Sequence, residues 1–205
     1  MPLVDAAKDV MLAALAAEID FVGLASDYPG AGGANEISGG SPAYTREAIT
    51  WNAPASGNLD SSNAPVFDVP PSTTIPWLMY FDAVTAGTYH GCSPLGGGNL
   101  IPFTAEDSTD VITADNHGFA DTQQVVVYDA GAGAVLPTGL TEGTIYFVRD
   151  ATTDTFKLAA TTGGVAIDLT ADGAGFVQTI APVVTGSQAT LTITDADISL
   201  ALVGV

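Results

Sequence analysis

Gly33-Ala-Asn-Glu-Ile-Ser-Gly-Gly-Ser-Pro-Ala-Tyr-Thr-Arg-Glu-Ala-Ile-Thr-Trp51 is a glycine-rich loop that runs into an aromatic, strand-like segment. From Tyr44 onward the residues alternate, with Tyr44, Arg46, Ala48 and Thr50 on one side and Thr45, Glu47, Ile49 and Trp51 on the other. The side bearing Ile49 and Trp51 suits a core, which leaves Tyr44 and Arg46 for solvent or a neighbour. Little in the stretch can do catalysis, so it points to architecture and predicts a mainly β chain.

Composition sets the outer limits. The 205 residues suffice for one large domain or two modest ones with real cores. Four Lys and Arg face 23 Asp and Glu, a formal net charge of -19, yet only 13% of residues are charged and 47% are hydrophobic. This is therefore no disordered acidic tail. Such an acidic excess repels phosphate backbones, and Lys8, Arg46, Arg149 and Lys157 are too scattered to form a basic stripe, so nucleic acid is not an expected partner. Cys92 is the single cysteine, which rules out an intrachain disulfide or a thiolate cluster.

The run Val10–Ala17 is too short to cross a bilayer, and its flanking acids Asp5, Asp9, Glu18 and Asp20 do not suit a secretory leader. Leu3, Ala7, Met11 and Leu15 instead fall four apart, predicting a helix from about Val4 to Ile19 that packs on its own domain or on a neighbouring subunit.

After this helix the chain is β-rich. Phe21–Ala25, Tyr44–Trp51, Val66–Val69 and Ile75–Ala83 read as strands, the last opening at Trp77 or lying at an edge because Pro76 cannot donate to a ladder. Ala189–Thr194 and Ile198–Val203 read as a hairpin turning at Asp195-Ala-Asp197. Between them, short β-prone runs recur at 111–113, 124–128, 144–148, 155–158, 165–169 and 175–179, separated by glycines. That spacing predicts a small barrel. The expected organisation is a β-sandwich-like domain with an N-terminal helix (residues 1–106 plus 180–205) interrupted by an inserted small β-barrel (residues 107–179).

The Gly33–Trp51 segment, Val66-Phe-Asp-Val-Pro70 and Trp77–Gly87 with Gly87-Thr-Tyr89 together resemble a family of tailed-bacteriophage virion proteins. Members are described as minor tail or tail-fibre proteins, and some as head decoration or head fibre proteins. The resemblance covers residues 1–105 and the C-terminal strands. Asp115-Asn-His-Gly-Phe119, Leu136-Pro-Thr-Gly-Leu140, Gly143-Thr-Ile-Tyr-Phe-Val148 and Asp154-Thr-Phe-Lys-Leu158 are similar to a small β module of phage tail proteins. They are also similar to a non-catalytic barrel half-domain of ubiquitin-activating enzymes. Neither resemblance brings a catalytic residue with it.

A search for chemistry finds little. His90 and Cys92 lie two apart with no further base or acid at a recognisable spacing. His117 falls in a turn-like Asp-Asn-His-Gly-Phe and reads as a turn or cross-strand residue. Ser41 is followed by Pro42 and Ala43 where a nucleophile elbow needs glycine, and Gly30-Ala-Gly-Gly33 does not open a helix after a strand. Asp168-Leu-Thr-Ala-Asp-Gly173 spaces its oxygens like a calcium loop, but Thr179 stands where the bidentate Glu belongs, so a hairpin turn is expected. No enzyme activity, cofactor or metal is predicted.

Function must then lie in surfaces. The resemblance implies a non-enzymatic virion component, assembled in the host cytoplasm, that contacts other tail or capsid proteins and forms a homo-oligomer, with a trimer as the family expectation. A minor tail or tail-fibre role leads, with head decoration as the alternative. A third reading is a tail-borne carbohydrate-binding module that stacks host-surface glycans on Trp51, Trp77, Tyr80 or Tyr146. Tyr44, Arg46, Trp77 and Tyr80 form the candidate interaction surface.

Overall fold

The computed structural model describes residues 4–130, 135–194 and 196–199, with residues 197 and 199 described through their backbone. The protein is mainly β, with one α-helix, a closed six-stranded barrel and further sheets. Its chain divides into two compact units, Met1–Leu95 with Pro182–Val205, and Gly96–Ala181.

The helix α1 (Asp5–Ala16) has Asp5 in its first turn, where the dipole favours an acid. It stops short of the expected Ile19. Asp20 N donates to Phe81 O at 3.0 Å, drawing the chain into a sheet just after Ile19, which is 1% exposed.

Seven strands follow: β1 (Phe21–Ala25), β2 (Glu47–Ala48), β3 (Asn58–Asp60), β4 (Val66–Val69), β5 (Thr73–Ile75), β6 (Trp77–Phe81) and β7 (Tyr89–Pro94). An antiparallel sheet is ordered β2-β1-β6-β7, with Phe21 opposite Phe81 and Ala25 opposite Trp77. Strand β6 opens at Trp77, directly after Pro76. All five of its residues are buried. Leu78 and Tyr80 join a core with Ile19, Val22, Leu24, Phe67 and Ile75. On the other side Tyr28 lies 5.1 Å from the Trp77 ring and Tyr89 lies 5.6 Å from the Phe81 ring, both measured between centroids. A strand covered on both faces needs an unbroken apolar run, which Trp-Leu-Met-Tyr-Phe supplies.

The expected strand Tyr44–Trp51 is shortened to Glu47–Ala48. Tyr44 Oη accepts the Leu24 N–H at 2.7 Å, so a side chain takes the position on β1 that a neighbouring backbone would have used. Trp51 forms only an isolated bridge with Ser61.

The second unit holds β8 (Ile101–Glu106), β9 (Val111–Thr113), β10 (Gln124–Asp129), β11 (Ile145–Arg149), β12 (Thr155–Ala159) and β13 (Gly173–Thr179). They close in the order β10-β11-β12-β9-β8-β13, and every neighbouring pair is antiparallel. Closure leaves no free sheet edge. Phe103, Ala105, Ile112, Val125, Val127, Tyr146, Val148, Phe156, Leu158 and Val177 alternate inward, while Phe119, Leu140 and Leu169 join the same core from loops.

This barrel begins earlier in the chain than residue 107, because Ile101–Glu106 pairs with both β13 and β9. That strand takes the place expected for residues 165–169, which contribute a single bridge, Ala166 to Ala159. Val165 is 85% exposed, and Leu169 N is held by Asp110 Oδ1 at 2.9 Å, so the segment is tied down by a side chain instead of a ladder.

The chain returns to the first unit through β14 (Val183–Thr185), β15 (Ala189–Thr192) and β16 (Asp197–Ser199). These pair antiparallel with β5, β4 and β3 in turn, so residues 183–199 run back along residues 58–75. The last two are not the predicted hairpin, since each faces its own partner strand. Asp195, within the predicted turn, and residues 200–203 lie outside the described residues.

Pro70 and Pro71 interrupt this ribbon because neither has an N–H to give. Thr185, 8% exposed, bridges the gap: its hydroxyl donates to Pro70 O at 2.8 Å and accepts from Thr73 N at 3.2 Å. Thr185→Val keeps the shape but strands both backbone groups, and is expected to cost about 1–3 kcal/mol in denaturant unfolding. A loss below about 0.5 kcal/mol would show that water replaces the hydroxyl.

Candidate functional site

The polar groups of the opening stretch converge on one node beside β1. Residues 35–37 run along the end of that strand, with Ser26 N donating to Asn35 O (3.0 Å) and Ile37 N to Leu24 O (2.9 Å), which places Glu36 over Gly23. Gly23 leaves room for this packing. A Cβ there would sit 2.9 Å from Tyr44 Oη and 3.1 Å from both Glu36 Oε1 and the Phe81 ring. Gly33 adopts φ +67°, and its open side is covered by the Tyr89 ring, 2.7 Å from where a Cβ would stand.

Arg46 organises the node. Its Nε and Nη2 donate to the two oxygens of Glu36 at 2.8 and 2.7 Å, a bidentate fork. Nη1 donates to Ala83 O at 3.0 Å and Ala86 O at 2.6 Å, gripping the turn between β6 and β7. The guanidinium lies 3.3 Å from the centre of the Phe81 ring. The Arg46 side chain is 11% exposed and that of Glu36 25%. Hydrogen bonding to Glu36, only partly opposed by desolvation, holds the Arg46 pKa above its ordinary value.

Tyr44 completes the arrangement, stacking on Phe67 with centroids 6.1 Å apart and donating from Oη to Glu36 at 3.3 Å. Burial raises the pKa of its phenol, and the Glu36 carboxylate adds to the effect, while the Leu24 N–H acts the other way. Tyr89 is raised too, by burial and then by its neighbour Cys92. Both folded values stand above the ordinary 10.0, so the stability they favour is fully present below about pH 10. It is lost as pH rises beyond that, when the unfolded phenols ionise first. A pH series of thermal unfolding should show the decline beginning near pH 10, reduced in Tyr44→Phe; an unchanged slope in that variant would remove Tyr44 as its source.

A cleft of about 310 Å³ borders the node, lined by Ser38, Thr45, Arg46, Val84 and Thr85 among others. Its one cation is committed to Glu36 and two carbonyls, so the node braces the turn between β6 and β7. Of the candidate surface residues, Tyr44 and Arg46 are brought together, partly buried. Trp77 and Tyr80 are 1% and 4% exposed, and Tyr80 Oη shares a 2.8 Å hydrogen bond with Ser93 Oγ. Neither presents a ring to solvent within this chain. Tyr146 is 5% exposed, with its hydroxyl accepting from Thr141 N at 2.8 Å, and half-buried Trp51 donates to Ile19 O at 3.0 Å. Three of the four proposed sugar-stacking rings therefore lie in cores.

His117, Ser41 and Asp172 are each tied into the fold. His117 is 5% exposed between Phe119 and Phe156, accepting from Phe119 N through Nδ1 (2.9 Å) with Nε2 facing Thr155 O (3.3 Å). It is a barrel core residue, more deeply placed than a turn histidine. Ser41 N is held by Gln188 Oε1 and Pro42 O by Gln188 Nε2, at 3.1 and 3.2 Å. Asp172 accepts from Asp107 N at 2.9 Å, and among the described residues no three His, Cys, Asp or Glu side chains gather as metal ligands. Glu36, Thr185 and Gln188 were not legible as key residues. Only Glu36 left a trace, as an acid ten positions before one of the chain's four cations.

The family model of the podophage GP4 fiber I protein gp80 matches residues 12–115, just over half of the chain. The chain belongs to this family. It is thus a phage fibre protein, a virion component, and the matched span holds the whole Arg46 node. No curated protein and no solved structure matches it. No helix of this fibre protein, among the described residues, is long and apolar enough to cross a membrane.

Proposed function

We propose that the protein is a non-enzymatic tail-fibre component, in which the first unit attaches to other virion proteins and the barrel is displayed outward as a separately folding domain. The observation that carries this reading is the fibre-family match over residues 12–115, which contains the β2-β1-β6-β7 sheet. The Arg46 node supports it, since its polar groups are spent on holding loops in place. A closed barrel, with no edge to recruit stray strands, suits a part displayed at a particle surface.

An epitope inserted at Thr162–Gly163, two exposed loop residues, tests placement on intact virions. Gold label confined to the tail and accessible without disruption is the expected result. Label distributed over the head would replace the tail assignment with head decoration. Label seen only after particles are broken would remove the outward barrel.

A further inference from the structure

Two of the chain's four cations meet on the outer wall of the barrel. Arg149 on β11 stands directly opposite Lys157 on β12 in the antiparallel register. The neighbouring pair, Val148 and Leu158, is buried at 2% exposure each, so the alternation of both strands turns Arg149 and Lys157 outward side by side. Directly opposed side chains start from Cβ atoms about 5 Å apart, and like charges so placed oppose the pairing that holds them. Among the described residues Asp150 is the one carboxylate that pairs with either cation, meeting Arg149 Nε at 3.1 Å. Its side chain is 57% exposed, where such a pair holds weakly. Lys157 Nζ makes no hydrogen bond or ion pair among the described residues.

Arg149 is also held in place. Its Nη1 donates to Gly164 O at 2.5 Å, while Nη2 has no partner among the described residues. Phe147 lies on the same outward face, because its neighbours Tyr146 and Val148 are the ones buried, at 5% and 2% exposure. It is half-buried, two residues before Arg149 and diagonal to Lys157 across the ladder.

We propose that Arg149, Lys157 and Phe147 form a binding site for a small oxyanion, a phosphate or carboxylate group, with the Phe147 ring backing the group that carries it. An anion between the two cations gains charge-assisted hydrogen bonds from both and removes their mutual repulsion. The pinned guanidinium loses little freedom on binding. Apart from this pair, every Asp, Glu, Lys or Arg of residues 96–181 is an acid, so a long polyanion is repelled along its length, whereas a single anionic group meets the local pair. Two sources supply that chemistry: a free anion such as phosphate, or the carboxylate of an acidic sugar whose apolar ring face covers Phe147.

The test is a titration of the full-length, isotope-labelled chain with inorganic phosphate and, separately, with sodium glucuronate, at an ionic strength held constant with sodium chloride. Saturable shifts centred on the amide resonances of Phe147, Arg149 and Lys157 and on the Arg149 Nε–H are expected, with half-saturation in the millimolar range. Lys157→Gln should weaken binding about tenfold or more. Without anion, the same variant should have a thermal midpoint equal to or above that of the wild type, and phosphate should raise the wild-type midpoint more than the variant's. Arg149→Lys keeps the charge but gives up the planar fork, so it should weaken binding less than Arg149→Gln, and it serves alone if the Gln variant fails to fold. Glucuronate binding tighter than phosphate, with the advantage lost in Phe147→Ala and glucose silent, would assign the site to an acidic sugar. Glucuronate no tighter than phosphate would assign it to a free anion. Shifts that do not exceed those from sodium chloride, or binding unchanged in Lys157→Gln, would overturn the proposal. So would a Lys157→Gln variant clearly less stable than the wild type in the absence of anion, since the lysine would then be a structural support.

Discussion

Arg46→Ala is expected to lower the stability of the sheet-bearing unit by roughly 2–4 kcal/mol. The guanidinium closes four hydrogen bonds and covers the Phe81 ring, and its removal leaves Glu36 partly buried with Tyr44 Oη as its remaining partner. An exposed pair would be worth about 1 kcal/mol or less, so the size of the loss reports how much the burial matters. Arg46→Lys should recover only part of it, since an ammonium cannot fork onto both Glu36 oxygens or lie flat on an aromatic face. Adding Glu36→Gln to Arg46→Ala should restore some stability by neutralising the stranded carboxylate. Chemical denaturation of the wild type, Arg46→Ala, Glu36→Gln and the double variant, taken as a double-mutant cycle, gives the coupling. A coupling near zero would reduce the node to surface decoration.

Phe156→Ala should cost the barrel about 3–5 kcal/mol, the usual range for deleting a buried phenyl ring. Phe156 is 1% exposed at the centre of an aromatic group, 4.9 Å from the His117 ring and 5.4 Å from that of Phe119. The cavity would open beside both, and a closed six-stranded barrel has little freedom to collapse around it. For a unit of this size the thermal midpoint should fall by roughly 15–30 °C. Phe156→Leu, which fills more of the space, should fall much less. If the sheet-bearing unit keeps its own transition in Phe156→Ala, the two units fold separately; a common shift would join them into one cooperative body.

Elements whose residues face two consistent environments were readable in advance. The helix followed from four-residue spacing, β6 from alternation after Pro76, and β9 to β12 from short β-prone runs spaced between glycines. Errors arose where side chains replaced backbone partners. Tyr44 capped Leu24 N and cut short a strand that alternation alone had extended, and Asp110 held Leu169 where a ladder was expected. Ile101–Glu106 alternates as well as any strand here, but nothing local says to which sheet it belongs.

The sequence by itself determined the class: an acidic, mainly β chain without the spacing of a known catalytic or nucleic-acid motif, and with the marks of a virion protein. Composition and periodicity carry the acidic, mainly β class because they count residues and reflect local geometry, while the virion reading came from the resemblance carried by Gly33–Trp51, Val66–Pro70 and Trp77–Tyr89. Only the tertiary structure decided what Tyr44, Arg46, Trp77 and Tyr80 do. Their role depends on which surfaces cover them, and those surfaces come from Glu36, Tyr28, the 83–86 turn and the strand on the far side of β6. Pairing between residues 58–75 and 183–199 is likewise a contact across more than a hundred positions. No local pattern encodes the loop closure that brings such strands together.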